Sequence, residues 1–304
     1  MATILITGGS GLIGQRLTGR LLATGHDVRW LSRKLGGRKD VRTFLWDVAA
    51  NTMDEGALRG VDHIVHLAGA PIVDRRWSMT RVKELIASRA DSARLLLRIA
   101  QGTGHVPKSF ISAAGIGYYG AITTDRIFSE QDPPANDTIA RISAAWEEGV
   151  DAWRPVTRVV KLRTPIVLAR EGGALKPLSL LTRWGLASPL GSGKQWVPWV
   201  HIDDLVRVYE RALSDEHMAG AYNVAADEQP DQRTFMRTLA QVMGKPFFLP
   251  AVPTFVMWLI LGERAGLLLE GSRVSNGRLQ AKGTQCTHTT LEGALRNLFV
   301  PERA

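Results

Sequence analysis

The chain has 304 residues, 45% of them hydrophobic and 22% charged, the composition of a soluble globular protein with room for one extended domain or two smaller ones. Its formal charge of +9 is scattered along the sequence with no block, stripe or recognisable module, which argues against nucleic-acid binding and leaves a solvated basic surface or attraction to an anionic ligand. The single cysteine, Cys286, excludes an internal disulfide and a zinc knuckle and fits a reducing cytoplasm; the seven histidines show no metal-ligand spacing, so no metal site is expected.

The opening "MATILITGGSG" has no basic n-region and runs straight into a strand pattern, so no secretory signal is expected. "ATILIT" (Ala2–Thr7) is a short apolar run ending in glycines, as a buried parallel strand should be. "LIGQRLTGRLLATG" then sets Leu12, Ile13, Leu17, Leu21 and Leu22 on one helical face, with Gly25 placed to end the helix. "DVRWLSR", "RTFLWDV" and "DHIVHLAG" read as the second to fourth strands. A helical stretch from Val82 to Gln101 follows, then "KSFISAAG" and "TRVVKLRTPIVL" as a fifth and a sixth strand. Strands separated repeatedly by helices imply an α/β protein, a doubly wound parallel sheet of Rossmann type.

Past Leu168 the pattern changes to glycine- and proline-rich connections between helices. A smaller lobe is expected there, interleaved with the sheet domain. The boundaries are residues 1–168 with 199–225 for the core, and 169–198 with 226–304 for the cap, of which 247–304 forms a distinct C-terminal region. The longest apolar run, "TFVMWLIL" (Thr254–Leu261), is far short of the roughly 20 residues a bilayer needs. It reads as a buried or lid helix, and no membrane partner is expected.

"TGGSGLIG" follows the first strand and opens the first helix, the context that a dinucleotide-binding glycine motif requires. The turn Gly8, Gly9, Ser10, Gly11, Leu12, Ile13 and Gly14 is expected to bring backbone N–H groups to a pyrophosphate at the helix N-terminus, with Gly14 allowing close packing of helix on strand. The second strand ends "WLSRK", with no carboxylate to accept from a ribose 2′-hydroxyl. Arg33 and Lys34 favour a 2′-phosphate instead, and so NADP(H) over NAD, unless they are merely surface charges on a loop.

Together with "WDV", "HLAGAPI" and "GSGKQWVPWVHIDD", this motif resembles the extended short-chain dehydrogenase/reductase superfamily. "RRW" at Arg75–Trp77, "IASR" at Ile86–Arg89, "SAAGIGYYG", "LRTPIVLAREGGAL" and "LEGSRV" are similar to one atypical branch, the nucleotide-sugar-epimerase-like or cell-division-inhibitor-like proteins. The tail from about Phe247 is similar to that branch's C-terminal domain of unknown function. The resemblance runs almost from end to end. It implies that Asp47 binds the adenine amino group, that Leu67, Ala68 and Gly69 lie beside the cofactor ribose, and that Pro165 and Ile166 lie near the nicotinamide amide. Trp77, Lys194, Gln195 and Trp199 are expected to line a pocket between the lobes, a wall or core role being equally open for the tryptophans.

The superfamily's acid/base machinery is a tyrosine with a lysine four residues on, one helical turn away. None of the four tyrosines here has that lysine: Tyr118, Tyr119, Tyr209 and Tyr222 are followed at that spacing by Ile122, Thr123, Leu213 and Ala226. On the helix "DTIARISAAWEEGVDAW" the two places fall on Ile139 and Ser143 if Glu147 marks its usual position. Tyr118, Tyr119 and Ser112 are the remaining candidates for a proton donor, against packing roles for the tyrosines and a locally satisfied hydroxyl for Ser112. His201, Asp203 and Asp204 read as capping a helix that begins near Asp203. Two functions stay open: an NADP(H)-dependent oxidoreductase or epimerase-like enzyme acting on an unknown small molecule, and a non-catalytic NADP(H)-binding redox sensor or regulatory protein.

Overall fold

The computed structural model describes residues 1–300. Twelve strands lie within them: β1 Thr3–Thr7, β2 Asp27–Ser32, β3 Arg42–Asp47, β4 Thr52–Met53, β5 His63–His66, β6 Ser109–Gly115, β7 Thr124–Phe128, β8 Arg158–Thr164, β9 Ile166–Leu168, β10 Trp199–His201, β11 Gly220–Asn223 and β12 Ser272–Val274. The helices are α1 Leu12–Ala23, α2 Met79–Thr103, α3 Thr138–Asp151, α4 Leu175–Arg183, α5 Ile202–Ser214, α6 Gln232–Val242, α7 Thr254–Leu261, α8 Gly266–Leu269, α9 Gly277–Gln280 and α10 Leu291–Phe299.

The large sheet runs β11-β8-β6-β5-β1-β2-β3-β4, with every neighbouring pair parallel except β3 and the two-residue β4. Its strands are short apolar runs because both faces are covered. Alternation sends Ile4 and Ile6 of β1 to the α1/α5 side with Leu17, Leu21 and Val206, and Leu5 to the α2/α3 side with Leu96, Val150 and Trp153. From β1 the chain winds first to β2 and β3, then returns past β1 to β5, β6, β8 and β11. Strand order therefore reverses between β1 and β5, which opens a crevice above their carboxyl ends.

The expected sixth strand breaks at Pro165, which has no N–H for a ladder: β8 stays in the large sheet and β9 leaves to pair with β10, Ile166 opposite Trp199. A third core, which includes Leu168, Leu175, Trp199, Phe235, Leu239, Leu291 and Leu295, joins α4, α6 and α10 beside the sheet. β7, from the first half of the chain, pairs in parallel with β12 near its end, and α7 to α9 flank that pair in sequence. The apolar α7 is not a buried helix: Met257 is buried, whereas Phe255, Trp258, Leu259 and Ile260 are 70%, 47%, 74% and 61% exposed. No helix among the described residues is long and apolar enough to cross a membrane.

Candidate functional site

The glycine turn owes its shape to contacts that leave no room for side chains. Gly8 has φ +70°, where a Cβ is disfavoured, and a Cβ there would lie 2.9 Å from Ala68 N. A Cβ on Gly14 would lie 2.5 Å from Gly8 O and 2.7 Å from Gly9 Cα, so α1 sits against the turn as only glycine permits. No side chain caps α1, and its first turn carries no acidic residue. Its leading N–H groups and the positive end of its dipole therefore face the crevice as an anion site. Across the crevice, the buried Thr7 Oγ1 accepts from Leu67 N and Ala68 N, both at 3.1 Å, and lies 2.8 Å from His66 Nδ1. This fixes the loop after β5 against the loop after β1. Burial holds His66 neutral, its pKa lowered to about 4.

The crevice continues into a cleft of about 640 Å³ between the sheet and the second lobe. Gly8, Gly11 to Gly14, Leu67, Pro165 and Ile166 line one end. Ile72, Ile139, Trp146, Trp196, Phe235 and Leu268 are among the walls of the remainder. Ile139 and Ser143 of α3, the places expected for an acid/base pair if Glu147 marks its usual position, both line this cleft. The single-turn 3₁₀ helix Ile116–Tyr119 lies tightly on them: a Cβ on Gly117 would sit 2.7 Å from Ile139 Cγ1 and 3.3 Å from Ser143 Oγ.

That tight turn directs both tyrosines away from the cleft. Tyr119 is buried, accepts from Arg163 Nη1 and donates to Asn223 Oδ1, each at 2.8 Å, and burial pushes its pKa up to about 12. Tyr118 packs its ring 3.7 Å from Arg163 Cζ and borders a separate charged depression of about 820 Å³ beside edge strand β11, which none of the glycine-turn residues lines. Arg163 also forks onto Glu147, Nε to Oε1 at 2.6 Å and Nη2 to Oε2 at 3.0 Å, and Lys161 Nζ lies 2.9 Å from Glu147 Oε2. Burial alone would raise the Glu147 pKa, but the two cations hold it below the usual carboxylate range. Ser112 is fully buried and donates to Ala113 O at 2.7 Å.

Of the expected pocket residues, Gln195 lines the cleft, whereas Trp77, Lys194 and Trp199 do not. Trp77 Nε1 donates to Ile72 O at 2.9 Å, Lys194 is exposed, and Trp199 is buried in the second-lobe core. Ser10, Arg33, Lys34, Asp47 and Gly69 are exposed around the crevice end of the sheet, Ala68 is half-buried, and Asp47 Oδ1 already accepts from Ala49 N and Ala50 N at 2.9 and 3.0 Å.

Arg89, Trp146 and Trp196 are cleft residues that lie within the quoted motifs but carry no expected part in the site. Arg89 stands one turn from Leu85 and from Ala93 on the buried face of α2, and a charge among apolar positions at that spacing was the available signal. It is 5% exposed and reaches under Gly69, whose Cβ would lie 2.9 Å from its Cζ. Burial and the charge of Arg81 lower its pKa to about 10. Asp203 and Asp204 also depart from a shared capping role. α5 begins at Ile202, capped by His201 Nδ1 accepting from Asp203 N, and Asp204 instead grips Thr287 N and His288 N at 2.8 and 3.0 Å.

A doubly wound parallel sheet with an uncapped helix behind a glycine turn, at the point where strand order reverses, defines a Rossmann-type dinucleotide-binding protein. The sequence profile of the NAD dependent epimerase/dehydratase family matches residues 4–225, and that of a domain of unknown function, DUF1731, matches residues 252–298. The chain belongs to the NAD dependent epimerase/dehydratase family. It is 34% identical to the mouse epimerase family protein SDR39U1 over 97% of this chain and 99% of that one. The crystal structure of human SDR39U1 (isoform 2) with NADPH superposes with a TM-score of 0.86 at 33% identity, covering 97% of this chain and 98% of that one. A nucleoside-diphosphate sugar epimerase from Corynebacterium glutamicum gives a TM-score of 0.79 at 26% identity, covering 98% of this chain and 58% of that one.

Proposed function

We propose that the protein binds NADP(H) in the crevice and uses it in oxidoreductase or epimerase-like chemistry on a small molecule enclosed by the second lobe. The observation that carries this is the uncapped N-terminus of α1 facing the Gly8–Gly14 turn, with Arg33 and Lys34 exposed just beyond β2 where a carboxylate would select NAD. Likeness to the NADPH-bound human protein supports the same cofactor. Leu67, Pro165 and Ile166 line the same cleft as the glycine turn, which supports a ribose and nicotinamide beside them, and hydride exchange needs mainly that cofactor and ligand be held in contact.

Titration with NADPH and NADH, read by energy transfer from the nine tryptophans, tests the cofactor. NADPH should bind the more tightly, and Arg33→Ala should weaken NADPH by roughly 10- to 100-fold with little change for NADH, as expected for one lost charge-assisted bond to phosphate. Equal affinity for the two cofactors would overturn the NADP(H) preference.

A second reading, a non-catalytic NADP(H) sensor, is favoured by one observation: Ile139 and Ser143 stand at the acid/base places while Tyr118, Tyr119 and Ser112 are engaged elsewhere. Under that reading NADPH is not consumed with any carbonyl or hydroxyl compound, and NADPH and NADP⁺ shift the Tm by different amounts. Turnover with any of them would exclude it.

A further inference from the structure

The cleft is divided electrostatically along its length, and the division bears on what can bind beside the cofactor. Of the helices of more than two turns that border it, the two whose N-termini carry no side-chain cap, α1 and α4, meet at the glycine-turn end; the other uncapped starts on the cleft are the single-turn α8 and the 3₁₀ turn Ile116–Tyr119. Cβ atoms on Gly172 and Gly173, just before α4, would lie 3.3 and 3.5 Å from Leu12. Among the described residues Arg89 is the one cationic side chain on the cleft wall, and it is committed as well. Nη1 donates to Leu85 O at 3.0 Å and Nη2 to Ala70 O at 2.8 Å, which leaves Nε without a partner beneath Gly69. Everything that can hold an anion is gathered where the dinucleotide's own phosphates and ribose would lie.

The second-lobe end is the opposite. Its walls are Leu178, Leu190, Trp196, Val197, Phe235 and Leu268, and the charged side chain among the residues there is a carboxylate, Glu270. The polar groups at that end are turned into the protein. Gln195 Nε2 donates to Leu190 O and Leu268 O at 3.1 and 2.8 Å, and Gln232 Oε1 accepts from Leu190 N at 2.9 Å. The N-terminus of α6 is closed by Asp231, which accepts from Thr234 N at 2.7 Å. Arg273 covers the Trp196 ring at 4.2 Å and donates to Asp125 O, and it does not border the cleft.

We infer that the ligand taken beside the cofactor is uncharged and largely apolar, of the class of a hydrophobic ketone, aldehyde or alcohol, and that nucleoside-diphosphate sugars are excluded. A sugar nucleotide would bring a diphosphate into a wall that, among the described residues, offers it a carboxylate, no cation and no open N-terminus of a helix longer than the single-turn α8, and a buried anion without partners is strongly unfavourable. An apolar molecule gains from the same surface by leaving water. The inference rests on the NADP(H) reading above only in assigning the other end of the cleft to the cofactor.

Prodan, an uncharged naphthyl ketone whose emission moves to the blue in apolar surroundings, is the test ligand, titrated into the full-length protein with and without NADP⁺. It should bind with a blue shift, and neither UDP-glucose nor UDP-glucuronic acid should displace it or bind alone in calorimetry. Leu268→Lys and Ala121→Lys each place a cation on the cleft wall, and each should weaken prodan by about tenfold or more. Displacement by a UDP-sugar, absence of prodan binding, or prodan affinity indifferent to both substitutions would each overturn the inference. NADPH titration of the same samples reports the cofactor separately. Prodan binding without NADPH binding would sink the cofactor reading and leave the ligand class standing.

Discussion

Tyr119 is a residue whose chemistry depends wholly on what surrounds it. Its hydroxyl closes a chain from Glu147 through Arg163 to Asn223, all within 2.6 to 3.0 Å, and its raised pKa makes it a poorer proton donor than an ordinary phenol. Tyr119→Phe should therefore lower stability by about 1–3 kcal/mol, the cost of leaving Arg163 Nη1 and Asn223 Oδ1 unpaired in a buried place. Cofactor affinity should stay within twofold or so, since the ring volume is kept. Denaturant midpoints and NADPH titrations check both statements. A large loss of turnover at unchanged stability would return Tyr119 to the catalytic candidates. At this scale the glycine turn was legible because its requirements are local: strand, turn and helix follow one another within fourteen residues. The orientations of Tyr118 and Tyr119 were not, because they are set by the press of Gly117 on Ile139 and by a charge 44 residues away, Arg163. Nor could "KQWVPWVH" reveal that Trp196 faces the cleft and Trp199 the core, since the strand there begins only at Trp199.

Among the elements, α3 is the informative one. It starts where an aspartate should start it, Asp137 accepting from Ala140 N at 2.8 Å, and its buried side is apolar apart from Ser143 and the Glu147 ion pairs. Just past its end Trp153 stacks on Phe110 at 4.4 Å between ring centroids and donates from Nε1 to Ala93 O at 3.0 Å, tying α3, β6 and α2 together. Trp153→Ala should cost about 3–5 kcal/mol, the range for emptying an aromatic site in a packed core. Thermal or urea unfolding would read that loss, and a cost under about 1 kcal/mol would mean that the site collapses without penalty. Periodicity located six of the eight strands of the large sheet and missed the two-residue β4 and the edge strand β11; it also joined β8 to β9 because both are apolar, whereas Pro165 separates them by removing one donor. The small pair β7 and β12 was invisible, since each strand is short and finds its partner some 148 positions away, a spacing that no local pattern encodes.

At the scale of the whole molecule, two buried histidines link stability to pH. His66 is held by Thr7, and His201 stacks on His288 at 3.8 Å between ring centroids where α5 meets the C-terminal segment. Burial lowers both pKa values from 6.5 to about 4, with the charge of His288 adding to the effect at His201. A depressed histidine pKa means that the folded state favours the neutral ring. The associated stability is complete above pH 6.5 and is lost as the unfolded chain takes up protons between pH 6.5 and about 4. His66 alone should account for about 3 kcal/mol of that fall. Unfolding measured from pH 7.5 to 4.5 should show the decline, and a His66→Asn variant should show a shallower one; a flat profile above pH 5 would contradict the assignment. The doubly wound sheet followed from the alternation of strands and helices. The docking of the segment before α10 on α5 did not, because it rests on contacts such as Asp204 with Thr287 and His288, which join distant parts of the chain.

The pairing of β7 with β12 also has a consequence for the order of events during synthesis. All eight strands of the large sheet have been made once residue 223 is reached, so the crevice with its glycine turn can assemble on the ribosome while about the last quarter of the chain is still to come. The ladder partner of Thr124–Phe128 arrives only with Ser272–Val274, and until then β7 waits as an unpaired edge beside an incomplete cleft. The nascent protein is thus a nucleotide fold before it is an enclosure. The last-made segment, carrying Leu268, Glu270 and Ser272, shuts the pocket in one late, long-range step.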